Sequence, residues 1–383
     1  MIRLTCLSII IILLCTGCTD FVEPNQLAFV IATGIDHAED GEIEISHQIN
    51  ITAQAKAASK GGSSSSMDSF IVKSAKGKDI FDAQQKIQRQ MSRRLMMNHR
   101  LLIAISEEYF NKDNVRIIFD KLGRDPANNL RDVILLIKGG RAKEFLAMKH
   151  PMELLSSIAS KKELQVNGIK NFSSRQLIID NLSDGIRSMV PVIQIETSQE
   201  RSKKSKSTML LSSYAVLDKE LKIKGFMDEV ESAQVGWMSG KETKQGITVP
   251  WKDGKGSLSF RMTHLKHHIH SSTAQDTKHI VVTVQADAYL LENTTPLDMS
   301  KVDNMIEVQT YMNEQIQKDL QMTMLKVQNW GSDIFGIGEH LHHKYPYWWK
   351  SQKDDWDQHF KQTEVTINSN IELKSIGMID KLN

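Results

Sequence analysis

Cysteine is nearly absent from this 383-residue chain, and the three present, Cys6, Cys15 and Cys18, all fall within its first eighteen residues. Beyond them no disulfide can form, no thiol can act as nucleophile and no cysteine zinc site can be built, so the fold must hold by its core. A chain of this length buries enough surface for that. Charge of one sign is also missing: 48 Lys and Arg stand against 46 Asp and Glu, which leaves no global field to attract nucleic acid.

The recognisable catalytic and cofactor signatures are missing as well. A dinucleotide site needs Gly-x-Gly-x-x-Gly at a strand-to-helix turn, and the turn at Lys76-Gly77-Lys78-Asp79 has one glycine. The run from Gly61 to Ser66 is a flexible loop by composition; no Gly-Lys-Ser/Thr follows it, so it is not a phosphate loop. Gly236-Trp237-Met238-Ser239-Gly240 carries its serine one place too late for a nucleophile elbow. Two histidine groups, His264, His267, His268 and His270, then His340, His342 and His343, lack His-Glu-x-x-His spacing and a carboxylate at fixed offset. His264, His268 and His270 would share one strand face. The residues therefore point to no catalytic group, no cofactor and no metal.

What is present begins at the N-terminus. Arg3 supplies a positive n-region, Leu4 to Leu14 an uncharged run of about eleven residues, and Gly17 a small residue before Cys18. That run is well short of the ~20 residues that span a bilayer as a helix. The layout is that of a bacterial lipoprotein signal, with cleavage after Gly17 and a lipid on Cys18. Cys15 occupies the lipobox position where Leu is commonest.

Leu27 to Ile35 and Glu42 to Thr52 read as a strand hairpin, the second alternating Ile43, Ile45, His47, Ile49 and Ile51 with polar residues. From Phe70 the pattern changes. A strand to Ala75, a helix capped by Asp79, a strand at Leu101 to Ile105, a helix at Glu107 to Leu122 and a strand at Val133 to Ile137 predict parallel pairing with right-handed crossovers. Helices are expected at Arg141 to Lys149, Met152 to Ser160 and Ser174 to Leu182, and a strand at Val190 to Thr197. That late strand and the first hairpin could share a sheet, which would make the βαβαβ unit an insertion and the N-terminal half two lobes. The basic run Arg201-Ser202-Lys203-Lys204-Ser205-Lys206 reads as a solvated linker. Near a lipid anchor its charges could also meet anionic headgroups, at about 1 kcal/mol each.

A hairpin around Asp218-Lys219-Glu220 opens the second half, followed by a helix at Asp228 to Met238 and strands at Gly246 to Trp251, Ser257 to Ile269 and Ile280 to Leu291. Ser300 to Gln328 keeps helical spacing through Val302, Met305, Met312, Ile316, Leu320, Met324 and Val327, a helix about 40 Å long that must lie across the sheet. Aromatic residues crowd between Trp330 and Phe360, a density that suits a packed core corner or a protein interface, with a sugar-stacking platform as the other reading, and Gln362 to Gly377 closes the fold as a strand. The fold class expected is α+β and multi-domain: mixed and curved sheets, a βαβαβ-like insertion in the N-terminal half, and a long central helix on a curved sheet in the C-terminal half. The organisation expected is a signal at 1–17, an N-terminal region at 18–200 with about 69–160 inserted, a basic linker at 201–206 and a C-terminal domain at 207–383.

The order of segments resembles the Ger(x)C family end to end. The resemblance is carried by Gly17-Cys18-Thr19-Asp20 with Glu23, by Leu27-Ala28-Phe29 through Gly34-Ile35-Asp36, by Arg89-Gln90-Met91-Ser92-Arg93-Arg94-Leu95, and by Arg124-Asp125-Pro126. It continues through Gly236-Trp237-Met238-Ser239-Gly240-Lys241, Asp333-Ile334-Phe335-Gly336-Ile337-Gly338 and the ending with Trp356, Phe360 and Val365 to Gly377. Thr19 stands where the family usually has Trp, and Pro24 where it has an apolar residue. The resemblance implies a non-enzymatic, lipid-anchored C subunit of a nutrient germinant receptor, on the outer face of the spore inner membrane. Its implied partners are the A- and B-type membrane subunits, one channel-like, the other nutrient-sensing. It marks Asp20, Glu23, Arg124 and Asp125 as candidate partner-binding residues. The alternatives are a solute-binding lipoprotein, which would show two similar lobes, and an envelope hydrolase, which would need a nucleophile or metal set.

Overall fold

The computed structural model describes residues 23–51, 70–126, 128–198, 206–272 and 279–376. Cys18, Asp20, the glycine-serine run at 61–66 and residues 201–205 of the basic run lie outside them.

β1 (Leu27–His37) turns back into β2 (Ile43–Asn50), antiparallel, with Ile35 opposite Ile45. β3 (Phe70–Gly77), β4 (Arg94–Met96), β5 (Leu102–Ser106), β6 (Val133–Lys138), β7 (Met189–Ser198), β8 (Lys206–Leu217) and β9 (Ile223–Phe226) complete a nine-stranded sheet. Its order is β3-β2-β1-β5-β6-β7-β8-β9, with β4 beside the start of β1. Helices α1 (Ile80–Gln88), α2 (Glu107–Lys112), α3 (Arg116–Arg124), α4 (Ala142–Ala147), α5 (Ser156–Val166) and α6 (Ser174–Leu182) connect the strands. The run β1-β5-β6-β7 is parallel, and its central members are apolar on both faces because helices cover both. Ile103, Ile105, Ile134 and Leu136 face α1, α2, α3 and α6, while Leu102, Ala104, Leu135 and Ile137 face α4 and α5.

The structure corrects the two-lobe expectation. The strand that opens the predicted βαβαβ unit, β3, pairs antiparallel with β2 at the sheet's edge, and the parallel run starts from β1 instead. The first hairpin and the late strand β7 do share a sheet, and among the described residues the N-terminal strands form that one sheet without a separate inserted lobe. Periodicity shows which segments are strands, but neighbours in a sheet are chosen by long-range pairing that no local pattern records. The hairpin at Asp218-Lys219-Glu220 likewise belongs to this first sheet: β8 pairs antiparallel with β7 across the basic run, and β9 with β8. The sheet therefore continues past 206 to Phe226. The helix expected over Glu107 to Leu122 is two, broken at Asp113, whose backbone is extended and whose carboxylate lies 2.8 Å from His37 Nδ1.

After α7 (Glu229–Met238), strands β10 (Lys244–Pro250), β11 (Ser257–Ser271), β12 (His279–Asn293) and β13 (Glu364–Ser375) form a second sheet in the order β10-β11-β12-β13. Its last pair is parallel. Strict alternation along β12 buries Ile280, Val282, Val284, Ala286, Ala288 and Leu290. Bulges at Ser259/Phe260, Thr263/Lys266 and Ala288/Tyr289 bend the long strands. On the buried face lies α8 (Val302–Trp330), whose Val308, Met312, Ile316, Leu320, Met324 and Val327 enter the core. It ends at Gly331, in the left-handed conformation that glycine tolerates. Short helices α9 (Ile337–Lys344), α10 (Pro346–Trp349) and α11 (Trp356–Gln362) fill the corner with Trp349, Trp356 and Phe360, ring centroids of the two tryptophans 5.1 Å apart. The aromatic-dense stretch packs this corner, with Tyr347 exposed.

One feature of α8 was not visible in its apolar spacing. Its side-chain amides bind the free edge of β13: Asn313 accepts from Ile371 N and donates to Ile371 O, both at 2.9 Å. Gln321 donates to Val365 O at 2.8 Å and accepts from Ile367 N at 3.0 Å, and Gln309 accepts from Leu373 N at 2.8 Å. The helix thus stands in for a missing neighbouring strand.

Asn313→Leu keeps the size of the side chain and strands both backbone groups of Ile371. It should cost about 2 kcal/mol, read as a lower urea midpoint, whereas Gln317→Leu on the exposed side of the same helix should change stability by less than about 0.5 kcal/mol.

Candidate functional site

The residues that carry the family-like motifs of the second half converge where the two sheets meet. Asp228 caps α7, accepting from Glu231 N at 2.8 Å while Glu231 returns a bond from Asp228 N. At the other end the chain reverses through Gly240 (φ 68°), and Gly236 O accepts from both Lys241 N and Glu242 N. The reversal lays the Glu242 carboxyl against Gly236, where a Cβ would sit 2.5 Å from its carboxyl carbon. Only glycine fits there. Trp237, 1% exposed, fills the core and donates to Lys266 O.

Lys241 and Glu242 then point in different directions. Lys241 reaches the first sheet's side: its Nζ lies 3.8 Å from Asp180 Oδ2 on α6, donates to Asn171 O at 3.4 Å and stands 5.0 Å from the Phe172 ring centroid. Glu242 accepts from the Tyr214 hydroxyl on β8 at 2.8 Å, and Tyr214 stacks on Phe172 at 5.2 Å. Lys170 N bonds Lys241 O, and Thr243 N bonds Gly168 O, so backbone pairing runs alongside. Lys241 and Glu242 are each 7% exposed and Asp180 is 4%. Burial raises the Glu242 carboxyl to about 7, the Tyr214 bond only partly opposing it, and burial also lifts Asp180 and lowers Lys241.

A second latch stands beside it. Asp333, fully buried, accepts on Oδ1 from the backbone N–H groups of Phe335, Gly336 and Ile337, and on Oδ2 from Gly338 N at 2.7 Å and Trp356 Nε1 at 3.0 Å. Such a nest needs an acceptor without a proton, which a carboxylate supplies. Asp333 O accepts from Arg187 N at 2.7 Å, and the Arg187 guanidinium meets Asp357 at 2.6 Å. Gly185 lies so close to α9 that a Cβ would stand 2.5 Å from Glu339 N. Inside the first sheet, Arg100 (2% exposed) donates to Asp132 (0%) at 2.6 Å. His47, wholly buried near Arg100, is pushed by burial down to about 3 and stays neutral.

The residues singled out from sequence lie elsewhere. Glu23 is exposed just before β1 and bonds Asn25; Arg124 is exposed at the end of α3 and bonds Asp120 at 2.7 Å; Asp125 follows it, 3.9 Å from Lys121. Each is partnered within its own turn. His264, His268 and His270 share the exposed face of β11, and His264 pairs with Asp287 at 2.9 Å. His342 and His343 lie near Glu339 on α9. Among the described residues no group of three or more His, Cys, Asp or Glu is placed to hold a metal ion. Asp180, Glu242, Tyr214 and Arg187 were missed because their partners come from distant segments; the only sequence signal near them was the motif ending at Lys241.

Two family models match the chain in succession. One, described as spore germination protein N-terminal domain, covers residues 20–195; the other, described as spore germination B3/GerAC like, C-terminal, covers residues 212–377. Spore germination protein KC of Bacillus subtilis (strain 168) is 23% identical over 98% of this chain and 96% of its own length. The putative spore germination protein YfkR of the same organism is 24% identical over 98% and 97%, and its spore germination protein B3 is 20% identical over 95% of each. Among solved structures, the crystal structure of the GerBC protein matches with a TM-score of 0.52 at 13% identity, covering 89% of this chain and 96% of that one. The fold is therefore shared.

The raised Glu242 carboxyl sets a pH dependence whose sign is fixed. Between its ordinary 4.5 and about 7 the folded protein holds a proton that the unfolded chain has lost, so stability falls as pH rises through that window, by up to about 3 kcal/mol. Glu242→Gln keeps an acceptor for Tyr214 and should remove that fall. Urea unfolding should find the variant level with the parent near pH 4.5 and more stable at pH 8; equal slopes would exclude the assignment.

Proposed function

The chain belongs to the Ger(x)C family of spore germination proteins, and on that premise we propose that it is the lipid-anchored C subunit of a nutrient germinant receptor. The observation that carries the reading is the continuous match, two family models in tandem and relatives aligned over nearly their whole length. Its contribution is binding rather than turnover. In support, the buried ionisable groups Lys241, Asp180, Glu242, Arg187 and Asp333 are all engaged in joining the two sheets, and no nucleophile motif accompanies them. A solute-binding lipoprotein of two like lobes has less support, since the sheets differ in strand number and order.

The anchor is Cys18, and the working place is the outer face of the spore inner membrane. Two acyl chains of a diacylglyceryl group, at about 0.8 kcal/mol per buried methylene, hold a protein stably where one chain is marginal. Tethering raises the effective concentration toward A- and B-type subunits in the same membrane to about the millimolar range, so modest contacts suffice. Glu23, next to the tether, together with Asp20, Arg124 and Asp125, are the candidate contacts.

Deleting the gene should abolish germination by one set of nutrients while dodecylamine still triggers it, and the protein should co-purify with the two membrane subunits. Normal germination with every nutrient, or turnover of a substrate by the domain alone, would refute the reading. Separately, Cys18→Ala should leave the chain unprocessed or shed from the membrane; fatty-acid label on that variant would refute the anchor.

A further inference from the structure

The second sheet treats its two edges differently. The outer edge of β13 is answered by the amides of Gln309, Asn313 and Gln321. The opposite edge, β10, pairs only with β11, and among the described residues nothing bonds the outward backbone groups of 245–249. A cleft of about 430 Å³ runs along that edge, lined by all six consecutive residues from Gln245 to Pro250 together with the start of α7 and the Gln315–Asp319 turn of α8. A lining of consecutive residues, in-facing and out-facing alike, means that the cleft follows the strand edge rather than one of its faces. The far end of β10 is held in place, since Tyr311 donates to Pro250 O at 3.1 Å and its ring meets Trp251 at 4.8 Å.

A second cleft, of about 370 Å³, lies between α7 and α8 and shares Val230, Gln234 and Asp319 with the first, so the two form one elongated furrow. Its rim is apolar: Val230 is 65% exposed and Met322 54%. Two carboxylates line it, Asp319 where the two clefts join and Glu229 in the first; neither forms an ion pair among the described residues, whereas neighbouring Glu231 is bound by Lys326 at 2.5 Å. Burial pushes the Asp319 carboxyl upward, a cost that an incoming cation would relieve. The Gln245 Oε1 atom, also at this cleft, is buried without a partner among the described residues.

We propose that this furrow docks an extended, basic segment of a partner protein, added as a strand to β10 with a Lys or Arg side chain reaching Glu229 and Asp319. Main-chain bonds to an open edge supply affinity and alternate side-chain pockets supply selectivity. The length of the furrow and the open backbone edge favour a polypeptide over a compact organic cation, and the unpaired carboxylates set the sign of its charge. The inference stands on this geometry and is independent of whether the chain is a receptor subunit.

The test uses the full chain in detergent and hydrogen exchange read by mass spectrometry, with a synthetic octapeptide of alternating Val and Lys as probe. The outward-facing amides of 245–249 should be protected in a saturable way. The same peptide with Glu in place of Lys should give no protection, and Glu229→Gln combined with Asp319→Asn should weaken binding by about tenfold or more. Absence of protection at millimolar peptide, equal protection by the Glu peptide, or undiminished binding to the folded double variant would each overturn the proposal. Protection by n-butylammonium matching that by the Lys peptide would also overturn it, in favour of a small-cation site. The peptide comparison does not depend on the variant folding.

Discussion

A sheet edge exposes backbone donors and acceptors that need partners, and the C-terminal half of this protein is built around that demand. β13 returns to the sheet parallel to β12 after the aromatic corner, with no further described strand to cover it. The long helix does so instead. One stripe of α8 supplies Val308, Met312, Ile316, Leu320, Met324 and Val327 to the core, and an adjacent stripe supplies Gln309, Asn313 and Gln321 to the strand. Further along, Gln328 bonds Phe360 O and Thr363 O and so fixes the approach of the chain to β13. Helix and strand hold each other in register, and the helix therefore spans the domain rather than merely covering it.

The attachment of that domain to the nine-stranded sheet combines a shared apolar cluster, which includes Phe172, Met189 and Val216 beside Trp237 and Ile337, with buried polar groups. Burying Lys241, Asp180 and Glu242 is unfavourable unless each finds a partner, and the partners come from both halves: Asp180 and Asn171 from one, Tyr214 from a strand that the sequence order would assign to the other. The Asp333 nest adds a second point of attachment through Arg187. The two family models meet in the stretch between residues 195 and 212, yet β7 and β8, on either side of it, are neighbours in one sheet. The division between sequence families and the division between sheets thus fall at different places, and β8 and β9 tie the two halves together.

Much of the local structure was legible. Asp79 caps α1 as expected, with its carboxylate accepting from Asp82 N; α6 runs from Ser174 to Leu182 as its pattern predicts; and the long strand expected at Ile280 to Leu291 is β12, one of whose faces is buried from Ile280 to Leu290. Near α2 and α3 the pattern misled: the helical stripe of Val115, Ile118, Phe119 and Leu122 lies wholly beyond the break that Asp113 makes by turning to His37, and it carries no sign of that break. Apolar spacing is blind to such a break. The motifs Gly236 to Lys241 and Asp333 to Gly338 were visible as motifs, but their roles were not, because a glycine's purpose lies in the atom that would strike its Cβ: the Glu242 carboxyl for Gly236, the Trp356 indole for Gly338.

By itself the sequence determined where most strands and helices lie, the lack of cysteine beyond residue 18, the balance of charge, and the resemblance that the family matches bear out. These follow from periodicities of two and 3.6 residues and from residue chemistry, which act over a turn or a few strand positions. Only the tertiary structure decided that β3 is an edge strand and β1 the start of the parallel run, that β8 and β9 belong to the first sheet, that Lys241 meets Asp180, and that one edge of the second sheet is sealed while the other lies open. Each of those depends on groups tens to hundreds of residues apart being brought within a few ångströms, and strand order and buried pairing leave no periodic trace in the chain.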